Sequence, residues 1–177
     1  MKTLKTIIET ERLLLREFDQ SDAIHFYQLN ADPEVIRYTG DPPFASVEAA
    51  RVFLENYQDY QKNGYGRWVV LLKSNDEFIG FCGLKFNELE LVDLGFRFFK
   101  KHWNKGYATE SARACLEYGF RQLQLEEIIG RAAKDNTASI RVLEKLGMSY
   151  WKDAPCKGIL NSAYYRINKT AFKNSRF

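Results

Sequence analysis

No apolar run in this 177-residue chain approaches the ~20 residues needed to cross a bilayer. Met1 to Glu9 lacks the long apolar stretch of a secretory signal. Three cysteines, Cys82, Cys115 and Cys156, are odd in number, widely spaced and set among apolar residues. That usage points to free thiols in a reducing compartment rather than to a disulfide framework. Histidine is limited to His25 and His102, and no Cys/His group has the spacing of metal ligands. Charge of one sign is also lacking: 26 basic residues face 23 acidic ones, and a net charge of +3 is too small for a nucleic-acid footprint. There is no internal repeat, low-complexity tract or linker. The absences leave an expectation of one cytoplasmic domain over residues 1–177, with no metal, no nucleic acid and no membrane among its partners.

What is present is a core. Apolar residues make up 45% of the chain and aromatics 15%, which argues against disorder. Strand patterns cover Arg12–Phe18, Arg67–Lys73, Glu77–Phe86, Leu91–Phe99, Glu126–Ala132, Met148–Trp151 and Ala163–Asn168. Helices are expected after the Asp19–Asp22 start signals, from Pro33 to Tyr38, from Ser46 to Lys62, from Tyr107 to Gln124, and from the Asp135-Asn136-Thr137 cap to Leu146. This order describes an α/β (α+β) mixed sheet with helices on both faces.

Two stretches carry chemistry. In Leu91–Phe99 one face holds Val92, Leu94, Phe96 and Phe98, while the other sets Asp93, Gly95 and Arg97 between apolar ends. That polar set either lines a cleft or faces solvent. The strand then enters Trp103-Asn104-Lys105-Gly106-Tyr107-Ala108-Thr109-Glu110 and a helix with Ala112, Cys115, Leu116, Gly119 and Leu123 on one stripe. The first N–H groups of a helix lack intrahelical partners and sit at the positive end of its dipole, so they suit a phosphate. Gly106 allows close backbone approach, and Lys100, Lys101 and Lys105 add charge. An ordinary strand-to-helix turn with solvated lysines is the alternative.

These residues resemble the GNAT superfamily of acyl-CoA-dependent N-acyltransferases, and within it the branch of ribosomal-protein N-terminal acetyltransferases. The family's Q/R-x-x-G-x-G/A signature corresponds to Trp103-Asn104-Lys105-Gly106-Tyr107-Ala108, and the branch's tryptophan-x-K-G-Y-A-T-E form is matched from Trp103 to Glu110. Thr10-Glu11-Arg12-Leu13-Leu14-Leu15-Arg16 is similar to the branch's first strand. Asp93-Leu94-Gly95-Phe96 and the segment Asn136 to Met148 match further pieces in the family's order. The resemblance implies a mostly antiparallel sheet of six to seven strands, splayed between the fourth and fifth. It implies an N-acetyltransferase moving the acetyl group of acetyl-CoA to a primary amine, either a small molecule or a protein N-terminus, by direct attack in a ternary complex. The protein would act as a monomer or homodimer. A catalytically inactive acyl-CoA sensor is the other outcome.

By the same resemblance, the diphosphate lies on the backbone of Lys105, Gly106, Tyr107 and Ala108, with Trp103, Asn104 and Thr109 around it. Pantetheine runs beside Leu94, Phe96 and Phe98, the N–H near Phe96 receives the oxyanion, Asn136 bonds the pantetheine and Ser139 lies near the thioester sulfur. Many members place a tyrosine four residues after Ser139 to protonate the leaving thiolate; Leu143 stands there in this chain. Asp93 is the first choice for general base, and an acceptor for Arg97 or for backbone is its other reading. Asn136 is also a plain helix cap, and Glu110 a plain stabiliser of a helix start. His102 reads as solvated or phosphate-side, His25 as lying near the acceptor opening. Tyr38, Phe44 and Trp68 are offered as acceptor-side aromatics, with core packing as the commoner fate.

Overall fold

The computed structural model describes residues 5–175 and holds one eight-stranded sheet. Its strands are β1 (Thr6–Glu9), β2 (Leu13–Arg16), β3 (Arg67–Leu72), β4 (Phe78–Phe86), β5 (Val92–Phe98), β6 (Glu127–Ala133), β7 (Ser149–Asp153) and β8 (Ser162–Asn168). The spatial order is β1-β2-β3-β4-β5-β6-β8-β7, antiparallel throughout except for the β5–β6 pair. One strand exceeds the expected six to seven. Thr6–Glu9 carries only two apolar residues and shows no clear alternation, so it becomes a strand through its pairing with Leu14–Arg16 rather than through its own pattern.

Among the described residues seven α-helices accompany the sheet: α1 (Ala23–Ala31), α2 (Pro33–Ile36), α3 (Val47–Glu55), α4 (Asp59–Asn63), α5 (Tyr107–Arg121), α6 (Thr137–Lys145) and α7 (Lys169–Asn174). Local chemistry sets their starts. The Ser46 Oγ accepts from the Ala49 N–H at 3.0 Å, and Asp32 caps α2 with Pro33 as its first residue. The helix expected from Ser46 to Lys62 is two helices. Asn56 ends the first by donating its Nδ2 to the Val52 carbonyl at 2.9 Å, and Tyr57 and Tyr60 then bracket Arg67 at the start of β3.

Strand alternation sorts the core into two layers. On one face Trp68, Val70, Leu84, Leu94 and Phe98 pack against Ala112, Cys115, Leu116 and Phe120 of α5. On the other, Val69 and Phe78 pack against Phe26, Leu29, Ala50 and Leu54 of α1 and α3. Trp68 therefore does not line an acceptor region. It is 1% exposed and meets Tyr118 edge-on, with ring centroids 5.4 Å apart. Among the described residues no helix is long and apolar enough to cross a membrane.

Candidate active site

Strands β5 and β6 share only two paired positions, Asp93 with Ile129 and Leu94 with Gly130. Beyond them β5 stays with β4 while β6 leaves with β8, and a gap opens in the middle of the sheet. The Phe99 N–H donates to the Ile79 carbonyl on β4 at 3.0 Å, so by alternation the backbone groups of Phe98 and Phe96 face the gap. The Phe98 carbonyl is taken by Trp103 Nε1 at 2.9 Å, which pins the following turn against the end of β5. The Phe96 N–H looks into the gap.

The turn above the gap curls through two left-handed residues, Asn104 (φ 59°) and Gly106 (φ 82°). Gly106 is the N-cap of α5 and no side chain caps this helix, so its first amides point outward with the dipole behind them. A second device holds the turn open. Glu110 Oε1 accepts from Thr10 Oγ1 at 2.7 Å and from the Arg12 N–H at 3.0 Å, and Oε2 accepts from Arg12 Nε at 2.7 Å. Arg12 in turn donates Nη1 to the Lys105 carbonyl at 3.0 Å and covers the Tyr107 ring at 4.6 Å. Burial alone would raise the Glu110 pKa, but the bonds from Thr10 and Arg12 outweigh it and hold it below the ordinary carboxylate value. Glu110 is thus a strap between the β1–β2 turn and α5 rather than only a helix-start anion. The turn fits a phosphate group: it is built of backbone donors, and a Cβ on Gly106 would lie 3.3 Å from Arg12 Nη2. Removing the strap with Arg12→Ala is expected to weaken binding of a phosphate-bearing ligand at this turn about tenfold, roughly 1.4 kcal/mol, by freeing the Lys105 carbonyl; titration calorimetry reads the change.

Beneath the gap lies a cavity of about 600 Å³. Asp93, Gly95 and Arg97 line it, so the polar face of β5 borders a cleft and not bulk solvent. Asp93 is 4% exposed and both its oxygens are taken. Arg67 Nη2 donates to Oδ1 at 2.9 Å, and Arg131 Nε donates to Oδ2. Arg67 reaches it across the cross-strand pair Gly83–Gly95, where a side chain on Gly95 would collide with the guanidinium. Asp93 is an acceptor for arginine, as its second reading held, but the arginines are Arg67 and Arg131. Arg97 instead binds Asn30 and Asp41, at 2.6 Å from the latter. Burial pushes the Asp41 pKa up, but Arg97 and Lys157 together bring it below the ordinary value. Arg131 also meets Glu88 at 2.5 Å, and burial, which lowers its pKa, is overcome by Asp93 and Glu88. The signal for Arg131 was in the sequence: a lone charge inside the apolar strand Ile128-Ile129-Gly130-Arg131-Ala132-Ala133.

Asn136 and Ser139 line the same cavity from the start of α6. Asn136 is the helix cap, accepting from the Ser139 N–H at 3.2 Å, which leaves its Nδ2 to donate elsewhere. Leu143 also lines the cavity and is 2% exposed. Its packing against Gly130 puts hydrocarbon where the resemblance led to the expectation of a tyrosine. Tyr38 and Phe44 line the cavity as expected. The histidines do not. His102 is buried beside Tyr107 with Nε2 3.1 Å from Glu77, and His25 stacks on Phe78 at 4.9 Å.

Residues 12–149 match the family described as "Acetyltransferase (GNAT) domain". The chain is 36% identical to Bacillus subtilis YkkB over 156 residues, covering 84% of this chain and 88% of that protein. It superposes on a GNAT-family acetyltransferase from Bacillus anthracis with a TM-score of 0.76 at 32% identity, covering 92% of this chain and 98% of that one. The fold also matches a spermidine N-acetyltransferase from Vibrio cholerae, solved with CoA and spermine, at a TM-score of 0.77 and 20% identity, over 93% and 100% of the two chains. The chain belongs to the GNAT acetyltransferases, enzymes that use acetyl-CoA.

Proposed function

We propose that this protein transfers the acetyl group of acetyl-CoA to a primary amine in a ternary complex, without a covalent enzyme intermediate. One observation carries the reading: the open edge of β5 and the Asn136–Ser139 wall line one cavity, and the chain runs on from β5 into the uncapped start of α5. In this reading the backbone from Lys105 to Ala108 holds the diphosphate, with Trp103, Asn104 and Thr109 forming the rim. Phe96 offers its gap-side carbonyl and Phe98 its N–H to the pantetheine, which runs on past Leu94 at the paired end of the gap, and Asn136 Nδ2 donates to it. The Phe96 N–H receives the negative charge that develops on the thioester oxygen, a preorganised donor of the oxyanion-hole kind. Ser139 is the hydroxyl closest in the helix to the departing sulfur. A thiol pKa of ~8.5 lets the sulfur leave as thiolate, so Leu143 costs little. Asp93, with both oxygens engaged, positions Arg67 and Arg131 rather than accepting the amine's proton. The acceptor is a small amine or a protein N-terminus, as in the ribosomal-protein N-terminal acetyltransferase branch whose motif Trp103–Glu110 matches.

The test has two arms. Acetyl-CoA and CoA, but not ATP, should raise the melting temperature, because a ligand bound only by the native state stabilises it. Thiol release from acetyl-CoA across a panel of amines and peptides should then follow. No shift with either CoA species sinks the reading; a shift with no thiol release for any acceptor makes the protein a sensor.

A further inference from the structure

The acceptor side of the cavity is aromatic and cationic, and we infer that the amine it takes is a monoamine with an aromatic or bulky apolar body, not a polyamine. This rests on the transfer reading above.

The walls on the α1 and α3 side are Phe18, Phe26, Phe44, Phe53, Tyr57 and Phe81. They form one connected surface: Phe18 to Tyr57 at 4.7 Å, Phe26 stacked on Phe81 at 5.8 Å, Phe44 to Phe53 at 5.6 Å. Rings so arranged bury an apolar body well. A face of such a ring also attracts cations, but Phe81 already carries one from the protein, the Arg97 guanidinium at 5.4 Å.

Charge decides between amine classes. Arg67, Lys85, Arg97, Arg131 and Lys157 line the cavity against only Asp41, Glu88 and Asp93. Each of those acids is already paired: Asp93 with Arg67 and Arg131, Asp41 with Arg97 and Lys157, Glu88 with Arg131. A polyamine brings ammonium groups that stay protonated while another nitrogen reacts, and this cavity offers them guanidinium neighbours and no unpaired carboxylate. A monoamine has no such remainder. Positive surroundings also favour its neutral form over the ammonium, because a like charge disfavours the charged state. The nitrogen is thereby presented with its lone pair free and its proton left to solvent, and no carboxylate base is required. The bond formed is N–C, the bond broken is C–S, and the amine's second proton leaves to water after attack.

Phenethylamine and spermidine are the probes, with acetyl-CoA as donor. The kcat/KM for phenethylamine should exceed that for spermidine at least tenfold, and should rise with pH toward the amine's own pKa. Phe53→Asp, at a position 43% exposed, places a carboxylate in the aromatic wall at little risk to the core. It should lower kcat/KM for phenethylamine about tenfold and narrow or invert the preference, with the acetyl-CoA melting shift unchanged. Equal or better turnover of spermidine by the unaltered protein overturns the inference while leaving acetyl transfer intact, as does an unchanged ratio in Phe53→Asp. If no amine releases thiol although acetyl-CoA still stabilises the fold, the transfer reading fails. Calorimetry of the two amines on the CoA-loaded protein then decides the acceptor class: tighter phenethylamine upholds it, tighter spermidine or no binding of phenethylamine overturns it.

Discussion

Gly106→Asp is expected to weaken acetyl-CoA binding about 100-fold or more while leaving the sheet folded. Two effects combine at this position. The backbone sits at φ 82°, which costs a non-glycine residue about 1–2 kcal/mol to adopt. The new carboxylate then stands at the mouth of an uncapped helix start, where it satisfies the amides itself and repels a diphosphate. One unit charge about 5 Å from another costs about 3 kcal/mol at an effective dielectric near 20, and each 1.4 kcal/mol is a factor of about ten in Kd. Gly106→Ala separates the two effects. Its Cβ meets only the tip of Arg12, so the loss should stay within about tenfold. Calorimetric titration of both variants decides the matter, and wild-type affinity in Gly106→Asp removes the diphosphate from this turn.

Asp93→Asn is expected to act first on stability. The carboxylate is buried and neutralises two guanidiniums that lie 16% and 7% exposed at their side chains. An amide keeps the shape but leaves Arg67 without its counter-charge and Arg131 with Glu88 alone, and breaking a buried pair in this way costs about 3–5 kcal/mol. For a chain of this length each 1 kcal/mol moves Tm by about 2–4 °C, so a fall of roughly 6–20 °C is expected. The pH–rate profile distinguishes a strut from a base. With Asp93 as a strut, residual turnover keeps the wild-type acid limb. An acid limb that disappears in the variant would restore Asp93 as the base.

The legible parts of this molecule were those written in local pattern. The glycine turn, the strand before it and the Asn136 cap each carry their chemistry within a few residues. The alternation in Leu91–Phe99 set Asp93, Gly95 and Arg97 on one side and left cleft or solvent open, a choice the cavity makes. Long-range partnerships were not written in that way. Asp93 meets Arg67 and Arg131 across 26 and 38 residues of chain, and nothing in the local spacing of any of the three selects the others. Alternation alone would have parted Trp68 from the acceptor side, since it must face away from Arg67. Thr6–Glu9 illustrates the converse, a strand made by its neighbour's open hydrogen bonds. At Asn56 a single side-chain amide bonding back to the helix outweighed a stripe that read as continuous to Lys62.

The divergence of β5 from β6 also bears on solubility. An unpaired strand edge is a template for another chain, and proteins with such edges at the rim of a sheet blunt them with charge, proline or bulges. Here the unpaired amides of β5 lie inside the sheet, with β4 on one side and β6, β8 and β7 beyond the gap. Two partners cannot reach them edge to edge as two exposed rims can. The protein can therefore keep a ready set of main-chain donors without offering them to aggregation.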